Sequence, residues 1–247
     1  MLPLSVAQWL LVPVWVVCWQ LVFTGVFEAS RLRRRAWLGQ YLKPESPWSH
    51  WLRGGILMFV LAQAGSALLA LVLVVRLRQL VWSEGLALLM GLVVFLGLLV
   101  VLRRWLAGHV LADYVNPVCR RLLVYPVSLV LTLALVLISY WRPQPWYVGL
   151  SWNEAVAQGA ANVHGDSLLA ALQRSAQALE ITQLWGMQNV SESLVAGSLL
   201  IALGWSLLLI MQAAFAWSFV RLLTGTHTLG DARRRGRAGK VNLGDSP

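Results

Sequence analysis

The stretch that decides the fold runs from Leu86 to Leu102, LALLMGLVVFLGLLVVL, and is closed by Arg103 and Arg104. It holds no charged residue and no strongly hydrogen-bonding side chain. A helix needs about 17–25 apolar residues to cross ~30 Å of hydrocarbon. Only a helix or a closed barrel leaves no backbone group unpaired there. Leu86–Leu102 therefore reads as a transmembrane helix.

Working outward, four further runs have the same character. Pro3 to Phe27 is uncharged, Gly54 to Val75 ends at Arg76 and Arg78, and Leu122 to Trp141 ends at Arg142. Leu194 to Leu223 is longer than a bilayer needs and is expected to tilt or to project beyond it. The first run lacks the positive n-region and the small-x-small pattern of a cleaved signal, so it too reads as a span. The fold class expected is all-α: a polytopic transmembrane helical bundle of about five spans. Composition agrees, because 58% of the 247 residues are hydrophobic and only 12% are charged, against about 25% charged in a typical soluble domain.

The boundaries expected are four spans within 1–141 (about 3–27, 54–75, 86–102 and 122–141), separated by basic loops 28–53 and 103–121. A small helical cap fills 142–193, the fifth span 194–223, and a basic, disordered tail 224–247. With the N-terminus outside, segments 28–53, 103–121 and the tail from Arg221 hold sixteen of the twenty Lys and Arg. The opposite side keeps Arg76, Arg78, Arg142 and Arg174. The positive-inside rule then predicts N-out, C-in, with the cap extracytoplasmic, and a bacterial inner membrane as the location. Trp37, Trp48, Trp51, Trp82, Trp105, Trp141 and Trp146 lie near span ends, where an indole buries its rings and keeps its N–H wet.

The cap opens on Pro143 and Pro145. Ser151 and Glu154 fit a capping box that starts one helix, and Asp166 or Ser167 caps a second. In that second helix Leu168, Leu172, Ala176 and Leu179 are expected to form the apolar face. About 50 residues bury little core alone, so the cap is expected to rest on the membrane, the spans or a partner.

Chemistry is sparse. No Walker A, GxSxG, HExxH or dinucleotide pattern appears. Cys18 and Cys119 lie at different depths, and no zinc spacing exists. His109 and Asp113 share a helix face at i, i+4, which suits a local hydrogen bond, and Asn116-Pro117 is expected to end that helix. No catalytic residue, cofactor or metal is expected.

What remains is packing and charge. Ala62, Ser66 and Ala70 put three small residues on one face of the second span, with Gln63 beside them as an interhelical contact. Gly197, Gly204 and Gln212 are the corresponding candidates in the fifth. Arg31, Arg33, Arg34 and Arg35, on an interfacial helix, and Arg233, Arg234, Arg235 and Arg237 in the tail are candidates for contact with anionic inner-leaflet lipid or a partner. No specific nucleic-acid binding is expected, because the charge sits between apolar runs.

The function expected is a non-catalytic membrane subunit or scaffold of a multiprotein assembly of secretion or conjugation type, packed with other subunits or copies of itself. The alternatives are a small-solute transporter or channel without intramembrane charge coupling, and an interfacial lipid-modifying enzyme. The five-span, N-out, C-in plan resembles that of channel subunits of bacterial type IV secretion systems, in plan alone and with no shared motif.

Overall fold

Each apolar run folds as a helix because its backbone has no other partner away from water. The computed structural model describes residues 4–41, 56–160, 167–189 and 194–244, with side-chain environments for 9–30, 58–111, 114–159, 167–189 and 201–233. Seven helices follow in order: α1 (Leu4–Tyr41), α2 (Ile56–Arg78), α3 (Trp82–Leu106), α4 (Ala112–Trp141), α5 (Trp152–Ala160), α6 (Leu168–Gln188) and α7 (Leu194–Gly244). Among the described residues the chain is all-helical. Segments Trp9–Ser30, Met58–Arg78, Trp82–Leu106, Tyr114–Trp141 and Ile201–Arg233 are long and apolar enough to cross a membrane. These five make the chain an integral membrane protein.

Aromatic pairing sets the first hairpin. The indole N–H groups of Trp15 and Trp19 donate to the carbonyls of Ala67 and Gln63, each at 3.0 Å. Phe23 and Phe27 then meet Phe59 edge-on, at 5.3 and 6.1 Å between ring centroids. Each turn forward along α1 is thus met by a turn backward along α2, the register of an antiparallel pair. Buried indoles need a partner for their N–H, and a helix carbonyl has a second lone pair to offer.

Helix α7 is the spine, in contact with α1, α2, α4 and α6. Its Phe215, Ala216 and Val220 enter the main core with Leu73 of α2, Leu88, Phe95 and Leu99 of α3, and Leu123, Val124, Val127, Leu131 and Leu135 of α4. Large apolar side chains elsewhere on α3 and α4, such as Leu89, Val93, Val101, Leu129 and Leu133, point outward, as lipid-facing helices require.

Several boundaries differ from expectation. Helix α1 does not stop at Phe27 but continues to Tyr41, because Ala, Leu and Arg favour helix and no proline interrupts before Pro44. The tail from Thr224, expected to be disordered, continues α7 as helix to Gly244 for the same reason: the next proline is Pro247. Asn116-Pro117 does not end a helix but lies inside α4, as does Pro126. Pro117 removes only the bond to the Asp113 carbonyl, close to the helix start, where the loss is smallest. His109 lies in the connection between α3 and α4, so it does not share a helix face with Asp113. Its Nδ1 lies 3.1 Å from the Trp105 carbonyl. Cys119, expected in a connecting loop, is fully buried in α4.

The cap is a helical pair laid on α7. Ser151 and Glu154 form the capping box, with the Glu154 carboxylate accepting from the Ser151 N–H at 2.9 Å and hydroxyl at 2.7 Å. The Ser167 hydroxyl caps α6 by accepting from the Ala170 N–H. The extended stretch before α5 would leave backbone groups unpaired, and the end of α6 supplies them. Gln188 accepts from the Tyr147 N–H and donates to the Pro145 carbonyl, while Asn189 accepts from the Gly149 N–H and donates to the Tyr147 carbonyl. Tyr147, Ala155, Ile181 and Leu184 form the small core between α5 and α6. The apolar face expected on α6 is shifted: Leu168 and Leu179 are exposed, and Leu169, Ala170, Ile181 and Leu184 are buried. Apolar residues occur on more than one face of this helix, so periodicity alone does not choose among them.

Candidate functional site

The charges gather in two layers. On α3, Glu84 and Arg103 mark them, and on α4, Arg120 and, capping its C-terminus, Arg142. Each separation is roughly 30 Å of helix at 1.5 Å per residue, close to the hydrocarbon thickness of a bilayer.

The Arg120 layer is built where α1 and α7 cross. Both helices carry a Thr-Gly pair at the crossing, Thr24-Gly25 and Thr224-Gly225. A Cβ on Gly25 would stand 2.7 Å from the Thr224 hydroxyl and 2.8 Å from the Arg221 carbonyl, and one on Gly225 would overlap the Leu21 carbonyl. Thr24 and Thr224 turn their hydroxyls back onto their own helices, donating to Leu21 at 2.7 Å and Arg221 at 2.9 Å. The backbones can therefore approach without a polar group left over.

One turn further along, this crossing holds Arg120 of α4. Its guanidinium is 4% exposed and donates through Nε and Nη2 to both carboxylate oxygens of Glu28, at 3.2 and 2.6 Å. Nη1 donates to Asp231 of α7 at 2.5 Å. Arg103 approaches Asp231 at 3.7 Å, and Thr228 donates to Glu28 at 3.0 Å. Two cations and two carboxylates from four helices thus balance. Nearby, Arg221 is buried, donates to the Gly25 carbonyl at 3.2 Å and lies 4.9 Å over the Trp217 ring.

The Arg76 layer lines an open cavity of about 360 Å³ between α2, α3, α4 and the cap. Arg76 stands 3.7 Å from Glu84 and 3.8 Å from Glu180. Arg142, Tyr147 and Gln177 complete its polar wall. Burial, and then the Glu180 carboxylate, push the Tyr147 phenol above its ordinary range.

The structure places the expected packing residues as follows. Ala62, Ser66 and Ala70 are all buried on α2, on one face. Gly204 is pressed against α6, where a Cβ would stand 2.8 Å from Met187 Cγ and 2.9 Å from the Gln183 carbonyl. Gln63 accepts the Trp19 indole through its backbone, while the side-chain oxygens of Gln63 and Gln212 have no hydrogen-bond partner among the described residues. Gln63, expected as an interhelical contact, thus meets α1 through its carbonyl. Ser128 and Thr132 bond within α4, to Tyr125 and Ser128, because the carbonyl one turn back is always in reach. The surroundings of Gly197 and the side chains of Arg31, Arg33, Arg34, Arg35, Arg234, Arg235 and Arg237 lie outside the described residues; Arg233 is exposed.

Glu28, Arg120, Asp231 and the two Thr-Gly pairs are the residues that sequence reasoning missed. Only the Thr-Gly pairs left a local signal, since the same dipeptide occurs in α1 and in α7. Among the described residues no three His, Cys, Asp or Glu side chains converge to hold a metal ion. Neither a family model, nor a curated protein, nor a solved structure matches this chain, so its site rests on its own geometry.

Proposed function

We propose that the chain is a non-catalytic membrane subunit, N-out and C-in in a bacterial inner membrane, that presents a basic helical pair to a cytoplasmic partner. One observation carries this reading. Helices α1 and α7, joined at Gly25, Gly225 and the Arg120 layer, both continue as helix past that layer. The extensions run from Glu28 to Tyr41 and from Asp231 to Gly244, about 20 Å each at 1.5 Å per residue. They carry Arg31, Arg33, Arg34 and Arg35 on α1 and Arg233, Arg234, Arg235 and Arg237 on α7. Topology alone needs charge near the span ends and sets no demand on its conformation, whereas these arginines are carried on two continuous helices. Arginines near the layer suit anionic headgroups, and those further out suit an acidic protein surface in an assembly of secretion or conjugation type.

Purification of the full chain in mild detergent tests this. Membrane partners in fixed stoichiometry are expected, and R233E/R234E/R235E/R237E is expected to release a cytoplasmic one while leaving membrane insertion intact. A lone chain that moves a solute in liposomes overturns the reading in favour of a transporter. Orientation is tested with single cysteines at the exposed positions Ser83, Ser175 and Ala232. A membrane-impermeant thiol reagent should reach the first two from outside and the third only after permeabilisation.

A further inference from the structure

We propose that the cavity at the Arg76 layer binds a zwitterion in which a primary ammonium is tethered to a phosphate, the chemistry of a phosphoethanolamine group. Its volume of about 360 Å³ falls at the lower end of small-molecule sites, about 300–1,000 Å³. Its charged wall has two halves. Arg76 and Arg142 supply guanidinium donors, the chemistry that recognises phosphate. Arg76 stands 3.7 and 3.8 Å from Glu84 and Glu180, beyond the ~2.7–3.2 Å of a hydrogen bond. It is charge-compensated by these carboxylates without spending its donors on them. Arg142 has no carboxylate within 4.0 Å among the described residues.

The other half accepts. Glu84, Glu180 and Gln177 offer oxygens to an ammonium with three N–H donors. The Gln177 Oε1 is buried and has no donor among the described residues, a state that native interiors rarely leave unexplained. Two Arg and two Glu sum to no net charge, so a purely anionic or cationic ligand would leave one like-charged pair uncompensated. Placement fits as well: Trp82, Tyr140, Trp141 and Trp146 are exposed at this end of the bundle, the belt that marks the headgroup level of a membrane.

The test uses the full chain, delipidated in maltoside detergent, with equilibrium dialysis and thermal unfolding as readouts. Glycerophosphoethanolamine is the free probe, dihexanoyl phosphatidylethanolamine the lipid probe, and glycerophosphoglycerol the control without ammonium. Saturable binding and a raised Tm are expected with the first two, and binding about tenfold weaker or more with the control. Tighter binding of the lipid probe identifies a membrane lipid as the source, and equal binding identifies a soluble compound. Arg142 is exposed, so R142Q leaves the fold intact and should weaken both probes about tenfold. Q177L should do the same through the ammonium half. Absence of saturation, equal binding of the glycerol control, or indifference to both variants overturns the proposal.

Discussion

Glu28 and Arg120, 92 positions apart, meet side by side: Nε and Nη2 of the guanidinium donate to the two oxygens of one carboxylate. The pair lies where α1, α4 and α7 converge, with Asp231 on the third donor. Removing one partner strands a buried charge, which costs about 3 kcal/mol or more. E28Q, D231N and R120M are therefore each expected to destabilise the chain strongly. The triple variant E28Q/D231N/R120M should recover much of the loss, since of the four charges it leaves only Arg103 without its partner, and that side chain is 31% exposed and can turn to water. Reversible unfolding in mixed micelles measures both. A triple variant as unstable as the sum of the singles would mean that the cluster does not act as one unit.

The crossing beneath that cluster makes a sharper prediction. A methyl group at Gly225 would overlap the Leu21 carbonyl, which is backbone and cannot swing aside. G225A should cost about 1–3 kcal/mol by forcing α1 from α7. Gly230 on the same helix has open space where its Cβ would be, and G230A should be neutral or gain up to about 1 kcal/mol from helix propensity. Equal behaviour of the two variants in the same unfolding assay would remove the close approach from the account.

How much of this was legible follows from where the information lies. Leu86–Leu102 reads directly as a span because length and apolarity are local properties, and the same holds for the other four. Arg120 could be read only as one basic residue among several in a loop. Its two carboxylates stand 92 and 111 positions away, and only the packing of three helices brings them together. Glu28 and Asp231 were hidden in a different way, each at the edge of an arginine cluster that dominates any count of charge. Helix around Arg31 to Arg35 was legible, though as a separate interfacial helix and not as a continuation of α1, whereas the extension of α7 was outweighed by the polar, Gly-containing composition of the tail. On α6 the apolar residues cover more than one face, so period alone does not choose buried Leu169 over exposed Leu168.

Trp15 and Trp19 offer a test of the first hairpin. Their N–H groups reach the Ala67 and Gln63 carbonyls, and hydrogen bonds between membrane helices average about 0.6 kcal/mol with a maximum near 1.7. W15F and W19F should each lose roughly that much, and the double variant about twice as much. Trp9 is 85% exposed, so W9F serves as the control with no expected change. Unfolding monitored by circular dichroism separates these cases, and a W9F loss equal to that of W19F would assign the effect to the ring alone.

The capping box of α5 predicts a pH response. The Ser151 hydroxyl and then its N–H hold the Glu154 carboxyl below its ordinary range by bonding to the ionised form. A carboxylate whose pKa is lowered on folding stabilises the fold above its unfolded pKa. That contribution disappears as pH falls through the lowered folded value. Hydrogen exchange at the Ser151 and Glu154 amides should therefore stay protected near neutrality and lose protection in the acid range below an ordinary glutamate pKa. E154Q keeps the shape of the box but cannot titrate, so its protection relative to the intrinsic exchange rate should be flat over the same window. Parallel loss in wild type and E154Q would assign the acid response to another group.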